Sequence, residues 1–216
     1  MIFGKPLIAD LGNKALGKRV HVFGSGPSAE QTQILVLEED LCIACNHAIK
    51  WRTSWDVVFV ETVDNSSYGQ EQISLLNQVN YGLLICKNNY PYRPLSSILK
   101  MRVLSNFDRL AVLPEYQASP NEILRDLEKI IEEAEFTFPQ YASSILTMVL
   151  FAVRSGAREI WLHGVDSLSQ TVNELETNNF HASESFAVPF SLIFDRVRQL
   201  LSTTLRVSIK IAREVE

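Results

Sequence analysis

Short apolar runs alternate along the chain with segments of helical period. Arg19 to Phe23 (Arg-Val-His-Val-Phe), Leu41 to Cys45, Asp56 to Val60, Gly82 to Lys87, Glu159 to Leu162 and Arg206 to Ala212 each read as a strand. Several are apolar at successive rather than alternate positions, as strands covered on both faces are. Ser119-Pro120-Asn121-Glu122 places Ser at N-cap, Pro at N1 and Glu at N3, ahead of an apolar stripe from Ile123 to Ala134. A second helix is expected from about Ala142 to Arg154, ended by Ser155-Gly156 with Gly in the left-handed position. A last helix is expected from about Pro189 to Leu201. Pro91, Pro94 and Pro114 break any period over 88–114, and that segment yields no element. The order predicts one α/β domain over 1–216, a Rossmann-like, doubly wound, mostly parallel sheet with helices on both faces.

The composition narrows the function classes. With 216 residues, the chain is long enough to bury roughly 70% of its unfolded surface without disulfide or metal staples. Lys plus Arg number 20 and Asp plus Glu 25, a net charge of −5, which disfavours broad binding to nucleic acid. The longest apolar run, Ile145 to Val153, is too short for a transmembrane segment, and the N-terminus has no leader-like pattern. Three cysteines, Cys42, Cys45 and Cys86, do not make a disulfide framework. A cytoplasmic protein is expected, with peripheral membrane association left open.

In a doubly wound sheet, ligands bind outside the carboxyl ends of the strands. Gly24-Ser25-Gly26-Pro27-Ser28 follows the first strand directly. Its glycines permit tight turning and close backbone approach, and Ser28 can cap the next helix with Gln31 at N3. Such a loop either cradles a nucleotide phosphate or is a plain strand-to-helix turn. With Ala29 it matches a dinucleotide fingerprint, but Asn46 stands where the ribose-binding acid belongs, which argues against NAD or FAD. No Gly-Lys-Ser/Thr follows, so it is not a P-loop.

Asn46, at the end of the second strand, suits a ribose hydroxyl, a base edge or simply a turn. Cys42 and Cys45 have odd spacing within a strand, so they face opposite sides as core residues rather than forming a redox pair. Glu61 and Asp64 follow the third strand, and Asp166 follows the later strand in His163-Gly164-Val165-Asp166. Ser143 and Ser144 stand at a helix start, as caps or phosphate contacts, and His181 lies in a polar loop long enough to cover a site. No His/Cys set has zinc spacing.

The order of these motifs resembles the bacterial lipooligosaccharide sialyltransferases. It rests on Val22-Phe23-Gly24-Ser25-Gly26-Pro27-Ser28, Ala44-Cys45-Asn46, Ser143-Ser144, the run Ser155 to Asp166, and a His ahead of a closing helix and strand. It is similar also to the group containing 6-hydroxymethylpterin pyrophosphokinases and motility-associated glycosylation factors. The sialyltransferase resemblance implies a transferase of bacterial glycan biosynthesis that uses a CMP-activated sialic-acid-type donor and a glycan hydroxyl acceptor, with no metal or other cofactor. It implies nucleotide contacts at Gly24, Ser25, Gly26, Pro27, Ser28, Asn46, Ser143 and Ser144. Asp166 would stand on the nucleotide side, and His181 would be the general base. Two features depart from that family: Ser167 to Glu176 contains no tyrosine, and the lid-like loop at about 167–185 is short. The pyrophosphokinase alternative implies ATP and Mg²⁺, with Glu61, Asp64 and Asp166 as acidic ligands. A non-catalytic nucleotide-binding module is a third reading.

Overall fold

The computed structural model describes residues 14–60, 66–87, 110–113, 115–116, 138–139, 144–166 and 190–212. In chain order these give β1 (Arg19–Phe23), α1 (Ser28–Thr32), a 3₁₀ turn (Gln33–Leu35), β2 (Leu41–Cys45), a 3₁₀ segment (Asn46–Trp51), β3 (Ser54–Val60) and α2 (Ser67–Leu76). Then follow β4 (Asn80–Lys87), β5 (Leu110–Leu113), β6 (Glu115–Tyr116), β7 (Phe138–Pro139), α3 (Ser144–Arg154), β8 (Glu159–His163), α4 (Phe190–Leu205) and β9 (Ser208–Ile211).

Seven strands form one sheet in the order β5-β4-β3-β2-β1-β8-β9, and every neighbouring pair is parallel. β6 and β7 pair separately. The α/β, Rossmann-like expectation therefore holds. Strands β1 and β2 have the predicted bounds, whereas β3 and β4 each begin two residues earlier and β8 runs on to His163. Helix α2 and strand β5 are not apparent in the sequence pattern. Ser66 caps α2 by accepting the Gly69 N–H at 3.0 Å. β5 falls within the proline-broken segment that yielded no element. The helix expected after Ser119 lies outside the described residues.

Alternation along the strands sends side chains to two cores. Val20, Val22, Leu41, Ile43, Cys45, Ile160 and Leu162 pack with α3 and α4 on one face. Phe23, Cys42, Ala44 and Val58 pack with Ala29 of α1, Ala48 and Ile49 of the 3₁₀ segment and Leu76 of α2 on the other. Cys42 and Cys45 are thus buried on opposite faces, and burial raises the Cys42 thiol to about 11. A fully buried Phe such as Phe59 contributes about 1.5–3 kcal/mol. α3 ends in a Schellman motif: Gly156 takes φ +94, its N–H donates to the Val153 carbonyl and that of Ala157 to the Ala152 carbonyl.

Candidate functional site at the carboxyl ends of the central strands

The chain winds outward from β1 through β2, β3 and β4 to β5, then returns to place β8 on the other side of β1. The winding direction reverses at β1, and ligand crevices in open α/β sheets open above such a point. The loop after β1 is held by the loop after β8. The Gly24 N–H donates to the His163 carbonyl at 2.7 Å, and the Gly26 N–H donates to the Gly164 carbonyl at 3.0 Å.

The glycines here serve close approach. Gly24 and Gly26 are not among the residues at positive φ. A Cβ on Gly24 would stand 2.6 Å from the Gly164 carbonyl oxygen and 3.2 Å from Ile145 Cδ1 of α3. One on Gly26 would stand 2.1 Å from Asp166 Oδ2. Gly164 has φ +62, and a Cβ there would meet the Gly24 and Gly26 carbonyls at 2.5 and 2.8 Å. The protein's own β8 loop thus makes a close approach that the sequence left to either a ligand or a turn.

The expected capping box at Ser28 does not form. α1 begins at Ser28 with Pro27 at N-cap and no side-chain cap. Instead, the Ser28 N–H donates to Asp166 Oδ2 at 3.3 Å, a carboxylate placed favourably against first-turn amides. Asp166 is positioned for this by the left-handed Gly164, which turns the chain back over the β1 loop.

Asn46 sits at the end of β2 with φ +54, a backbone region that asparagine tolerates better than most residues. Its Nδ2 donates to Ser144 Oγ at 3.0 Å, joining the end of β2 to the first residue of α3. Next to it, His47 Nε2 lies 3.1 Å from Glu71 Oε2 of α2, with the ring edge-on to Tyr68. The structure therefore gathers Gly24 to Ser28, Asn46, Ser144 and Asp166 at one end of the sheet. Ser143, His181, Glu61 and Asp64 lie outside the described residues.

A buried polar line beneath α1 escaped the sequence reading. Asp40 accepts from Arg19 Nε and Nη2 at 3.2 and 3.0 Å, from the Leu37 N–H at 2.8 Å, and lies 2.9 Å from His21 Nε2. His21 Nδ1 is 2.8 Å from His163 Nε2, and His163 Nδ1 is 2.8 Å from Thr32 Oγ1. Phe23 stacks on His163 at 4.2 Å. Burial pulls the pKa of His21 below the usual imidazole value, more than Asp40 restores it. Burial, followed by the facing His21 and Arg52, pulls His163 down to about 3. Burial by itself would raise the Asp40 carboxyl, but the Leu37 amide, Arg19 and His21 together hold it below the usual value. The signal for this line is the alternation itself. Arg19, His21 and Phe23 share a face of β1, and register sets His21 against Trp161 and Phe23 against His163.

Scanning the sequence against family models gives no match, and comparison with curated proteins by sequence gives none of significance. Solved structures do match. The α-2,3-sialyltransferase of Campylobacter jejuni in its apo form superposes with a TM-score of 0.53 at 18% identity, over 92% of this chain and 76% of that one. The fold is sialyltransferase-like. The C. jejuni sialyltransferase CstII with cytidine-5′-monophosphate matches with a TM-score of 0.52 at 17% identity, over 91% of this chain and 80% of that one. CST-II with trisaccharide acceptor and CMP matches with a TM-score of 0.51 at 16% identity, over 90% and 81% of the two chains. The expected relation to pterin pyrophosphokinases draws no support from these neighbours. Among the described residues no helix is long and apolar enough to cross a membrane.

Proposed function

We propose that the chain is a glycosyltransferase that takes a sialic-acid-type sugar from a CMP-activated donor and passes it to a glycan hydroxyl. The observation that carries this reading is the meeting of Asn46, Ser144 and the Gly24 to Ser28 loop at the reversal point of a sheet whose neighbours were solved with CMP and with a trisaccharide acceptor.

In this reading the Gly24 to Ser28 backbone is the floor of the nucleotide site, and the Asn46 amide meets the ribose or base. The phosphate faces the start of α3, where Ser144 offers a hydroxyl and the helix amides offer a positive dipole end, with Ser143, the residue before it in sequence, as a second hydroxyl for the same group. The start of α1 suits an anion less, because the Asp166 carboxylate already takes the Ser28 amide. Asp166 then acts by holding the loop. His181 accepts the proton of the acceptor hydroxyl as that oxygen bonds to the anomeric carbon. The bond from the anomeric carbon to the phosphate oxygen breaks, and CMP leaves with its electron pair, without a metal and stabilised by α3.

A thermal-shift comparison of CMP, CDP, ATP and NAD, each with and without Mg²⁺, tests the donor site. CMP at ~100 times its Kd adds about 2.7 kcal/mol, or roughly 5 to 10 °C for a chain of this size. The reading expects that shift with CMP regardless of Mg²⁺, and loss of sugar transfer in His181→Ala with the CMP shift retained. A shift with ATP and Mg²⁺ alone would point to phosphoryl chemistry instead. Full transfer by His181→Ala would remove the proposed base.

A further inference from the structure

The line Asp40, His21, His163, Thr32 has a direction. An ionised carboxylate only accepts hydrogen bonds, and a neutral imidazole carries one ring proton. Asp40 therefore sets the His21 proton on Nε2, which leaves His21 Nδ1 as an acceptor. The His163 nitrogen facing it at 2.8 Å is Nε2, so the His163 proton sits there. His163 Nδ1 is then an acceptor as well, and the Thr32 hydroxyl must supply its only proton to it. The Ser28 carbonyl, 3.0 Å from the same Thr32 oxygen, goes without that proton. One carboxylate before β2 thus dictates, through two rings and across two strands, the bond made by a hydroxyl on the helix that follows the glycine loop.

We infer that Asp40, His21 and His163 are positioning residues for the Gly24 to Ser28 loop, acting through the Thr32 hydroxyl to lock α1 onto β8. The consequence for nucleotide binding rests on the function proposed above; the lock itself does not. Its partners are complete. Asp40 accepts from Arg19 and the Leu37 amide and faces His21, and among the described residues no other acceptor is placed on His21 Nε2. Trp161 lies over His21 with ring centroids 6.0 Å apart and Phe23 stacks on His163 at 4.2 Å, which restrains the rotation of both imidazoles. Among the described residues, the other charged or titratable groups around the pair are Arg19 on β1, Cys42 on β2, and Arg52 and Asp56 beside the start of β3.

The same geometry defines a second state. A proton added to His21 makes both its nitrogens donors. His21 Nδ1 then donates to His163 Nε2, the His163 proton sits on Nδ1 and donates to the Thr32 oxygen, and the Thr32 proton turns to the Ser28 carbonyl. Nothing but one proton is gained. The neutral state ties α1 to β8, and the protonated state satisfies α1 internally as well.

Nitrogen-15 NMR of the imidazoles in the nucleotide-free protein tests the lock independently of any substrate. At neutral pH both His21 and His163 are expected as the Nε2–H tautomer, and an Nδ1–H tautomer on either ring would overturn the direction. In Asp40→Asn, whose side chain can donate, the His163 nitrogens are expected to shift although His163 does not touch residue 40; an unchanged His163 would overturn the relay. Should that variant not fold, Thr32→Val and Thr32→Ser decide. Val keeps the shape without the hydroxyl, and Ser keeps the hydroxyl without the methyl. Exchange of the Gly26 and Ser28 amide protons is expected to quicken about fivefold in Thr32→Val, the worth of one hydrogen bond, and to stay near wild type in Thr32→Ser. Equal effects of the two, or a larger one for Ser, would mean that Thr32 only fills space. If CMP fails to bind while these results hold, the lock stands and the nucleotide reading falls.

Discussion

The Asp166 carboxylate accepts the Ser28 amide proton at 3.3 Å, across 138 positions of sequence. This contact closes the loop after β1 against the loop after β8, and the glycines on both sides fit it. Gly26 leaves room for the carboxylate, and Gly164 turns the chain so that Asp166 can reach. The acidic residue that the sequence offers as a ligand or a catalyst thus also braces the loop after β1.

Gly26→Ala should be destabilised by about 1–3 kcal/mol, because its Cβ would press on Asp166 Oδ2. Asp166→Ala should recover part of that loss in the double variant. A urea-unfolding cycle should find coupling of about 0.5–3 kcal/mol, and simple additivity would mean that the contact does not exist in solution.

Gly164 and Gly17 both have positive φ, at +62 and +74, yet a Cβ on Gly17 meets nothing within 4 Å. Gly17→Ala should therefore cost only the backbone strain, about 1–2 kcal/mol. Gly164→Ala adds collisions with the Gly24 and Gly26 carbonyls and should cost clearly more. Equal melting temperatures for the two variants would contradict this packing.

At Asn46, backbone and side chain can be separated. Asn46→Gly accepts φ +54 without strain but loses the amide that reaches Ser144. Its melting temperature should stay close to wild type while the CMP-induced shift falls. Asn46→Ala should lose both, and an undiminished CMP shift in the glycine variant would remove Asn46 from the nucleotide site.

Acid should destabilise the protein in a defined window. His163 is held near 3 and His21 below 6.5 in the fold, so the unfolded chain binds more protons as pH falls below 6.5. Stability is complete above that value and is lost as pH drops toward 3, with a slope of up to ~1.4 kcal/mol per pH unit for each ring. Asp40, whose folded pKa is depressed below 3.8, adds a loss of the same sign at the acid end. Urea unfolding of wild type and His163→Gln between pH 7 and 4 should show the shallower slope in the variant; parallel slopes would refute a buried neutral His163.

Much of this molecule is written locally. Strand bounds at Arg19–Phe23 and Leu41–Cys45 follow from short apolar runs ended by glycine or asparagine, and the stop of α3 follows from Gly156. α2 leaves little local signal because its residues form only a weak apolar stripe, and its cap at Ser66 is one hydroxyl among several polar neighbours. β5 is four residues long and gains its strand character from pairing with β4.

The sequence alone determined that this chain forms a parallel α/β sheet with candidate chemistry at the strand ends, since hydrophobic period, caps and turn residues act over a few positions. What those candidates touch depends on long-range packing. Parallel pairing of β1 with β8 set Asp166 on the Ser28 amide and His163 against His21, and the start of α3 brought Ser144 to Asn46. Partners separated by 138, 142 and 98 positions are chosen by register and crossover packing, which no local pattern encodes.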